Sequence, residues 1–125
     1  ELDVEAIITP QLHNKYLIIL SDEKMLLSSY IDFHKVLRKK KWLYYTGKMS
    51  EDELEEEGWE PFQLNLLKQD IEKFLDSDEE LITSNRKISY QKEKVNYLEG
   101  ILKMIINRQW LIREAIDWIK FTNGS

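Results

Sequence analysis

Cysteine is absent from this chain, which excludes a disulfide framework, a thiolate zinc site and a thiol nucleophile, and suits a reducing compartment such as the cytosol. No apolar run approaches the roughly 18 residues of a membrane span, and Glu1 to Glu5 carries no signal-peptide pattern. The chain does not begin with Met, so further residues are expected to precede Glu1. Histidine is nearly missing: His13 and His34 lie too far apart on one rigid helix to converge on a metal. No Gly-rich phosphate loop, nucleophile elbow or Ser-His-Asp set can be assembled, so the sequence offers no enzyme and implies no cofactor. An excess of positive charge is lacking as well. With 23 acids against 18 bases and a net charge of -5, the protein cannot hold nucleic acid through a general basic coat, and any such binding must be local.

What is present is helical periodicity, in a chain whose 125 residues fit a single domain. Glu1 to Ile8 shows no clear repeat, but Thr9-Pro10 is a start signal, since Thr can accept from a free helix amide and Pro suits the first helical position. Apolar residues then fall at Leu12, Tyr16, Ile19, Leu26, Tyr30, Phe33, Leu37 and Tyr44, alternately four and three apart, with Glu23 and Lys40 in the vacant places of the heptad. No Gly or Pro interrupts before Gly47, which predicts a helix over 10–46, about 50 Å long at the usual rise. The segment 47–63 reads as an acidic turn or loop. Ser50 and Glu53 have capping-box spacing for a short turn ending near Gly58, and Glu51, Asp52, Glu53, Glu55, Glu56, Glu57 and Glu60 read as solvated acid without the alternating pattern of a calcium loop.

Trp59, Pro61 and Phe62 interrupt helix, and their rings are expected to pin this loop to the core. Leu64, Leu67, Ile71, Phe74 and Leu75 predict a short helix over 64–76, and a second capping box from Ser77 to Glu80 predicts a break or kink. The last helix, 77–121, has a seam at Leu81, Ser84, Ile88, Gln91, Val95, Leu98, Leu102, Ile105, Gln109, Ile112, Ile116 and Ile119. A second seam, Tyr97, Ile101, Met104, Leu111, Ala115 and Trp118, makes the helix apolar on two faces and points to self-association into a homo-oligomer. The fold class is therefore all-α, with long antiparallel helices forming a helical bundle.

Against this acidic background stands Lys35 to Lys48, with six cations, no acid and three aromatics. Lys35, Arg38, Lys39 and Trp42 cluster on the side of the first helix away from Leu37; Lys41 is expected to extend its ammonium past its stem into water, while Tyr45 and Lys48 follow at the helix end. Cations for phosphate and flat rings for bases are what a grip on single-stranded nucleic acid requires. The competing reading is a structural coiled-coil or adaptor protein, whose basic helix pairs with the acidic loop of a neighbour.

Tyr44-Tyr45-Thr46-Gly47-Lys48 resembles the Tyr-Tyr-x-Gly followed by Lys or Arg of the UvsY recombination mediators of T4-like bacteriophages. Trp59-Glu60-Pro61-Phe62, Lys68-Gln69-Asp70-Ile71, Ile105-Ile106-Asn107-Arg108, Ala115-Ile116 and Lys120-Phe121-Thr122-Asn123-Gly124 look like the cyanophage versions of that family. The resemblance implies a non-catalytic ring of six or seven subunits in the cytoplasm of the infected bacterial host. It also implies binding to single-stranded DNA and help for a RecA-like recombinase in replacing the single-strand-binding protein. The family's DNA-binding Lys-x-Arg pair falls on Lys39 and Lys41, where Lys replaces Arg and the planar fork is lost.

Overall fold

The computed structural model describes residues 2–124, with Leu2 described by its backbone alone. Four helices follow one another: α1 (Leu2–Tyr45), α2 (Glu51–Glu57), α3 (Lys68–Asp76) and α4 (Glu79–Thr122), with no strand among the described residues. None of the helices is long and apolar enough to cross a membrane. The chain divides into two compact units, one of Glu1–Leu26 with Gln91–Ser125 and one of Leu27–Tyr90.

In the first unit the start of α1 runs antiparallel to the end of α4. Arg108 pairs with Glu5 at 2.6 Å, Lys94 with Glu23 at 3.1 Å and Lys24 with Glu99 at 3.4 Å. Leu20, Val95, Leu98, Leu102 and Ile105 are buried between these helices. Here α1 departs from expectation, because it begins at Leu2 and carries Pro10 in its interior. An interior Pro removes a backbone donor and disfavours helix by about 3 kcal/mol in isolation. Burial of Thr9 and the Glu5–Arg108 pair hold the preceding turns helical in spite of it.

The second unit is built around Leu37, Leu75 and Leu81, against which Tyr45, Trp59 and Ile71 pack. Its turns follow local chemistry closely. Gly47, at φ 71°, closes α1: its amide reaches the Tyr44 carbonyl at 3.2 Å and the Lys48 amide reaches Leu43 at 2.9 Å. Ser50 caps α2 by accepting from the Glu53 amide at 3.2 Å, and Gly58 ends it in the same left-handed conformation. Helix α3 begins at Lys68 rather than at 64, leaving Leu64 and Leu67 exposed in the preceding loop. The chain does break before α4, but the cap is Asp78 and not Ser77. The Asp78 carboxylate accepts from the Leu81 amide at 3.0 Å, while the Ser77 hydroxyl turns back to the Lys73 carbonyl at 2.9 Å to close α3.

The seam of α4 matches its heptad reading as far as Ile116: Leu81, Ser84, Ile88, Gln91, Val95, Leu98, Leu102 and Ile105 are buried, and Gln109, Ile112 and Ile116 half-buried, whereas the expected Ile119, near the helix end, is exposed. The seam of α1 differs at every second position. Inward-facing residues are His13, Tyr16, Leu20, Glu23, Leu27, Tyr30, His34, Leu37, Lys41 and Tyr44. The expected Leu12, Leu26 and Phe33 are exposed instead. Several true seam residues are polar and meet partners across the pair: His34 Nδ1 lies 3.0 Å from Ser84 Oγ, and Gln91 Nε2 donates to both the Glu23 carboxylate and its carbonyl. Those bonds hold the Glu23 carboxyl below its ordinary value, with the Gln91 contribution largest and Lys94 adding to it.

Candidate nucleic-acid interface

The end of α1 from Lys35 to Tyr45 belongs to the second unit and has an outer and an inner face. On the outer face Lys35, Lys39 and Trp42 are exposed and Arg38 is half-exposed. Neither Lys35 nor Lys39 has an acidic partner among the described residues. Together with Glu72 and Leu75 of α3, these four line an open groove of about 310 Å³. Leu75 forms the floor at 2% exposure, Trp42 supplies a ring and Lys48 holds its ammonium 4.6 Å from the centre of that ring. The predicted stripe of Lys35, Arg38, Lys39 and Trp42 is thus brought together.

Lys41 and Tyr45 are not part of it. Lys41 lies on the buried seam, and its ammonium turns inward rather than extending to water: it sits 3.1 Å from Asp78 Oδ2, 3.4 Å from Glu80 Oε1 and 4.0 Å from the centre of the Trp59 ring. Tyr45 is half-buried, donates to Asp78 Oδ2 at 2.6 Å and packs edge-on against Tyr44 and Phe62. Burial, and after it the bond to Asp78, pushes the Tyr45 hydroxyl well above its ordinary value. Burial also pushes the Asp78 carboxyl up, but the bonds from Tyr45, the Leu81 amide and Lys41 outweigh it and hold the group below its ordinary value. The ammonium, carboxylate and phenol form a closed set that ties α1 to the start of α4.

The acidic segment is tied down as expected: Trp59 Nε1 donates to Glu80 at 3.1 Å, Tyr44 to the Glu60 carbonyl at 2.6 Å, and Phe62 packs on Tyr44, Tyr45 and Phe74. It also answers part of the cationic stretch directly. Lys40 meets Glu57 of α2 at 2.6 Å, and that bond is the main cause of its raised pKa. Arg38 meets Glu72 at 2.7 Å. Pairing that the adaptor reading assigned to a neighbouring molecule is in part internal. Sequence reasoning placed Leu75 only on the apolar side of the short helix and did not single out Glu72, so the contribution of α3 to the groove was missed. Among the described residues no cluster of His, Asp or Glu could hold a metal.

The family model described as "Recombination, repair and ssDNA binding protein UvsY" matches residues 1–125. The chain belongs to the UvsY family. Two crystal structures of the bacteriophage T4 recombination mediator protein UvsY share its fold. One, of lattice type II, is 23% identical with a TM-score of 0.80, covering 99% of this chain and 85% of the other. The second, of lattice type IV, is 22% identical with a TM-score of 0.78, covering 96% and 84%. No curated protein sequence matches. UvsY membership brings a general role in recombination and single-stranded DNA binding. Within this UvsY chain, the Tyr-Tyr-Thr-Gly-Lys segment is the capped end of α1, its two tyrosines half-buried and its lysine over the Trp42 ring.

Proposed function

We propose that this protein is a recombination mediator that holds single-stranded DNA on the outer face of α1, through Lys35, Lys39, Lys48 and Arg38 for phosphates and Trp42 for a base. The observation that carries this reading is the groove itself, where cations without acidic partners flank an accessible indole over an apolar floor. Phosphate pairing supplies affinity independent of sequence, and stacking supplies a contact that every base can make. Lys41 and Tyr45 serve the site indirectly, by fixing the helix that presents it.

By this proposal the protein works in the cytoplasm of the infected bacterial host, favouring a RecA-like recombinase over the single-strand-binding protein. It acts as a homo-oligomer of six or seven subunits. In support, Tyr97, Met104, Leu111 and Trp118 expose a row of large apolar groups along α4, with Ile101 and Ala115 half-buried beside them. Oligomerisation would place many copies of a weak groove along one strand, and avidity would offset the weakness.

Fluorescence anisotropy with a labelled oligonucleotide across a salt series tests the site. Four phosphate contacts per protomer, one for each named cation, correspond to a slope of about -2.8 in log affinity against log salt on single strands. Lys35→Ala with Lys39→Ala should weaken binding alike for all sequences and flatten that slope by about 1.4. Trp42→Ala should lower affinity by about 1 to 3 kcal/mol with the slope kept. Normal binding by the lysine pair at every salt concentration would move the site elsewhere, and absence of saturable, salt-sensitive binding by the unsubstituted protein would favour the adaptor.

A further inference from the structure

We propose that Glu72 is a built-in competitor for the DNA strand: its carboxylate latches Arg38 across the groove, and a backbone phosphate displaces it when the strand binds. This inference rests on the reading of the groove as the single-strand site. It starts from a conflict in the wall. The groove gathers Lys35, Arg38, Lys39 and Trp42, yet one acid, Glu72, enters from α3 and takes the only guanidinium at 2.7 Å. A carboxylate there repels the phosphates that the neighbouring lysines attract, so the pair is unfavourable to the strand in two ways. It occupies a fork suited to phosphate, and it adds a negative charge.

The pair is also built to exchange. Its side chains are 42% and 64% exposed, and one guanidinium nitrogen reaches one carboxylate oxygen. Pairs this exposed are held weakly, and water solvates the carboxylate once it is released. By contrast, Lys41 and Asp78 are 7% and 5% exposed and Asp78 also accepts from Tyr45, so that pair stays closed. The chain therefore holds one ion pair that fixes structure and another that a ligand can open. Arg38 remains attached to α3 without DNA and turns to the phosphate with it. The latch sets a threshold, since a lone small anion meets Glu72 while a strand presents the several phosphates that Lys35 and Lys39 hold in place.

Glu72→Gln, Arg38→Ala and the double substitution, titrated with a labelled oligonucleotide across a salt series, test this, with helix content and melting temperature as folding controls. Glu72→Gln should bind about two- to fivefold more tightly than the unsubstituted protein, the range set by the weakness of an exposed pair. Arg38→Ala should flatten the salt slope by about 0.7, the loss of one phosphate contact. Adding Glu72→Gln to Arg38→Ala should recover only a minor part of the gain, because the latched residue is gone. Equal gains with and without Arg38 would make Glu72 a general repulsive charge and overturn the latch, as would an unchanged slope in Arg38→Ala. If the unsubstituted protein binds and these variants show no coupling, the latch alone falls; if it binds no DNA, the single-strand reading falls with it.

Discussion

Among the cations of the 35–48 stretch, Lys41 is the one whose loss should destabilise the protein most. Its ammonium lies 3.1 Å from Asp78, both side chains being nearly excluded from solvent at 7% and 5% exposure. Removing one member of such a pair leaves a buried charge uncompensated and costs about 3 to 5 kcal/mol. Asp78 would keep its bonds from Tyr45 at 2.6 Å and from the Leu81 amide at 3.0 Å, which places Lys41→Ala near the lower end, about 3 kcal/mol. The second ion pair, to Glu80, adds little, because that carboxylate is half-exposed and screened. An unfolding entropy of about 2.1 cal/mol/K per residue over 125 residues converts 3 kcal/mol into a fall in Tm of roughly 11 °C. Lys39→Ala, on the outer face, should change stability by no more than about 0.5 kcal/mol.

Urea denaturation followed by circular dichroism at fixed protein concentration measures both. A double-mutant cycle isolates the pair: Lys41→Met in an Asp78→Asn background should cost much less than in the unsubstituted protein, since no carboxylate is left unpaired. If Lys41→Ala unfolds at the same urea concentration as Lys39→Ala and the cycle shows no coupling, the ammonium faces water and the interior pair is refuted. This also governs how DNA-binding data on Lys41 variants are read. Lost affinity would report a disturbed helix, detectable as lost stability, before it reported a lost phosphate contact.

Asp78 should impose an acid limb on stability. Its folded pKa is lowered, so its contribution is present above its ordinary value of 3.8 and lost as pH falls through the lowered one; the stability difference between the unsubstituted protein and Asp78→Asn should be level at neutral pH and shrink below about pH 3.8. A difference that stays constant down to pH 2, measured by urea denaturation, would contradict it. Met104→Asp should leave helix content intact while lowering the sedimenting mass, because Met104 is 73% exposed and contributes little to the protomer's own core. Unchanged mass would put the assembly contact on another face.

The helical class, the acidic cap at Ser50 and the seam of α4 were legible because each depends on short-range rules. Ser followed three residues later by Glu, Gly at a left-handed end, and Ile, Leu and Val at alternating threes and fours specify their own environment. The seam of α1 was legible only at alternate positions, Tyr16, Glu23, Tyr30, Leu37 and Tyr44. Between them the interior takes His13, Leu20, Leu27, His34 and Lys41, each one residue beyond the apolar or cationic residue that the pattern favoured. Hydrophobicity cannot find a seam whose members are polar and satisfied from across the interface. Ser84 lies 50 positions from His34 and Gln91 lies 68 from Glu23, distances over which sequence alone gives no register. Buried polar positions of this kind are a device by which paired helices fix one alignment over its neighbours. That role suits α1 well, since its exposed Leu12, Leu26 and Phe33 offer an alternative apolar stripe one residue away.

The start of α1 shows the same limit from the other side. Thr9-Pro10 is a local signal for a helix start, and tertiary contacts overrule it by burying Thr9 and pairing Glu5 with Arg108, 103 positions away. The cationic stretch combines both cases. A run of Lys and Arg on a helix identifies a charged surface but not which cations face it, because helical geometry directs Lys39 and Lys41 about 200° apart. What faces Lys41 is Asp78, the residue that also caps α4. One carboxylate therefore begins a helix, neutralises a buried ammonium and accepts from Tyr45, so the separation of the buried cation from the exposed ones was written in a residue 37 positions beyond Lys41.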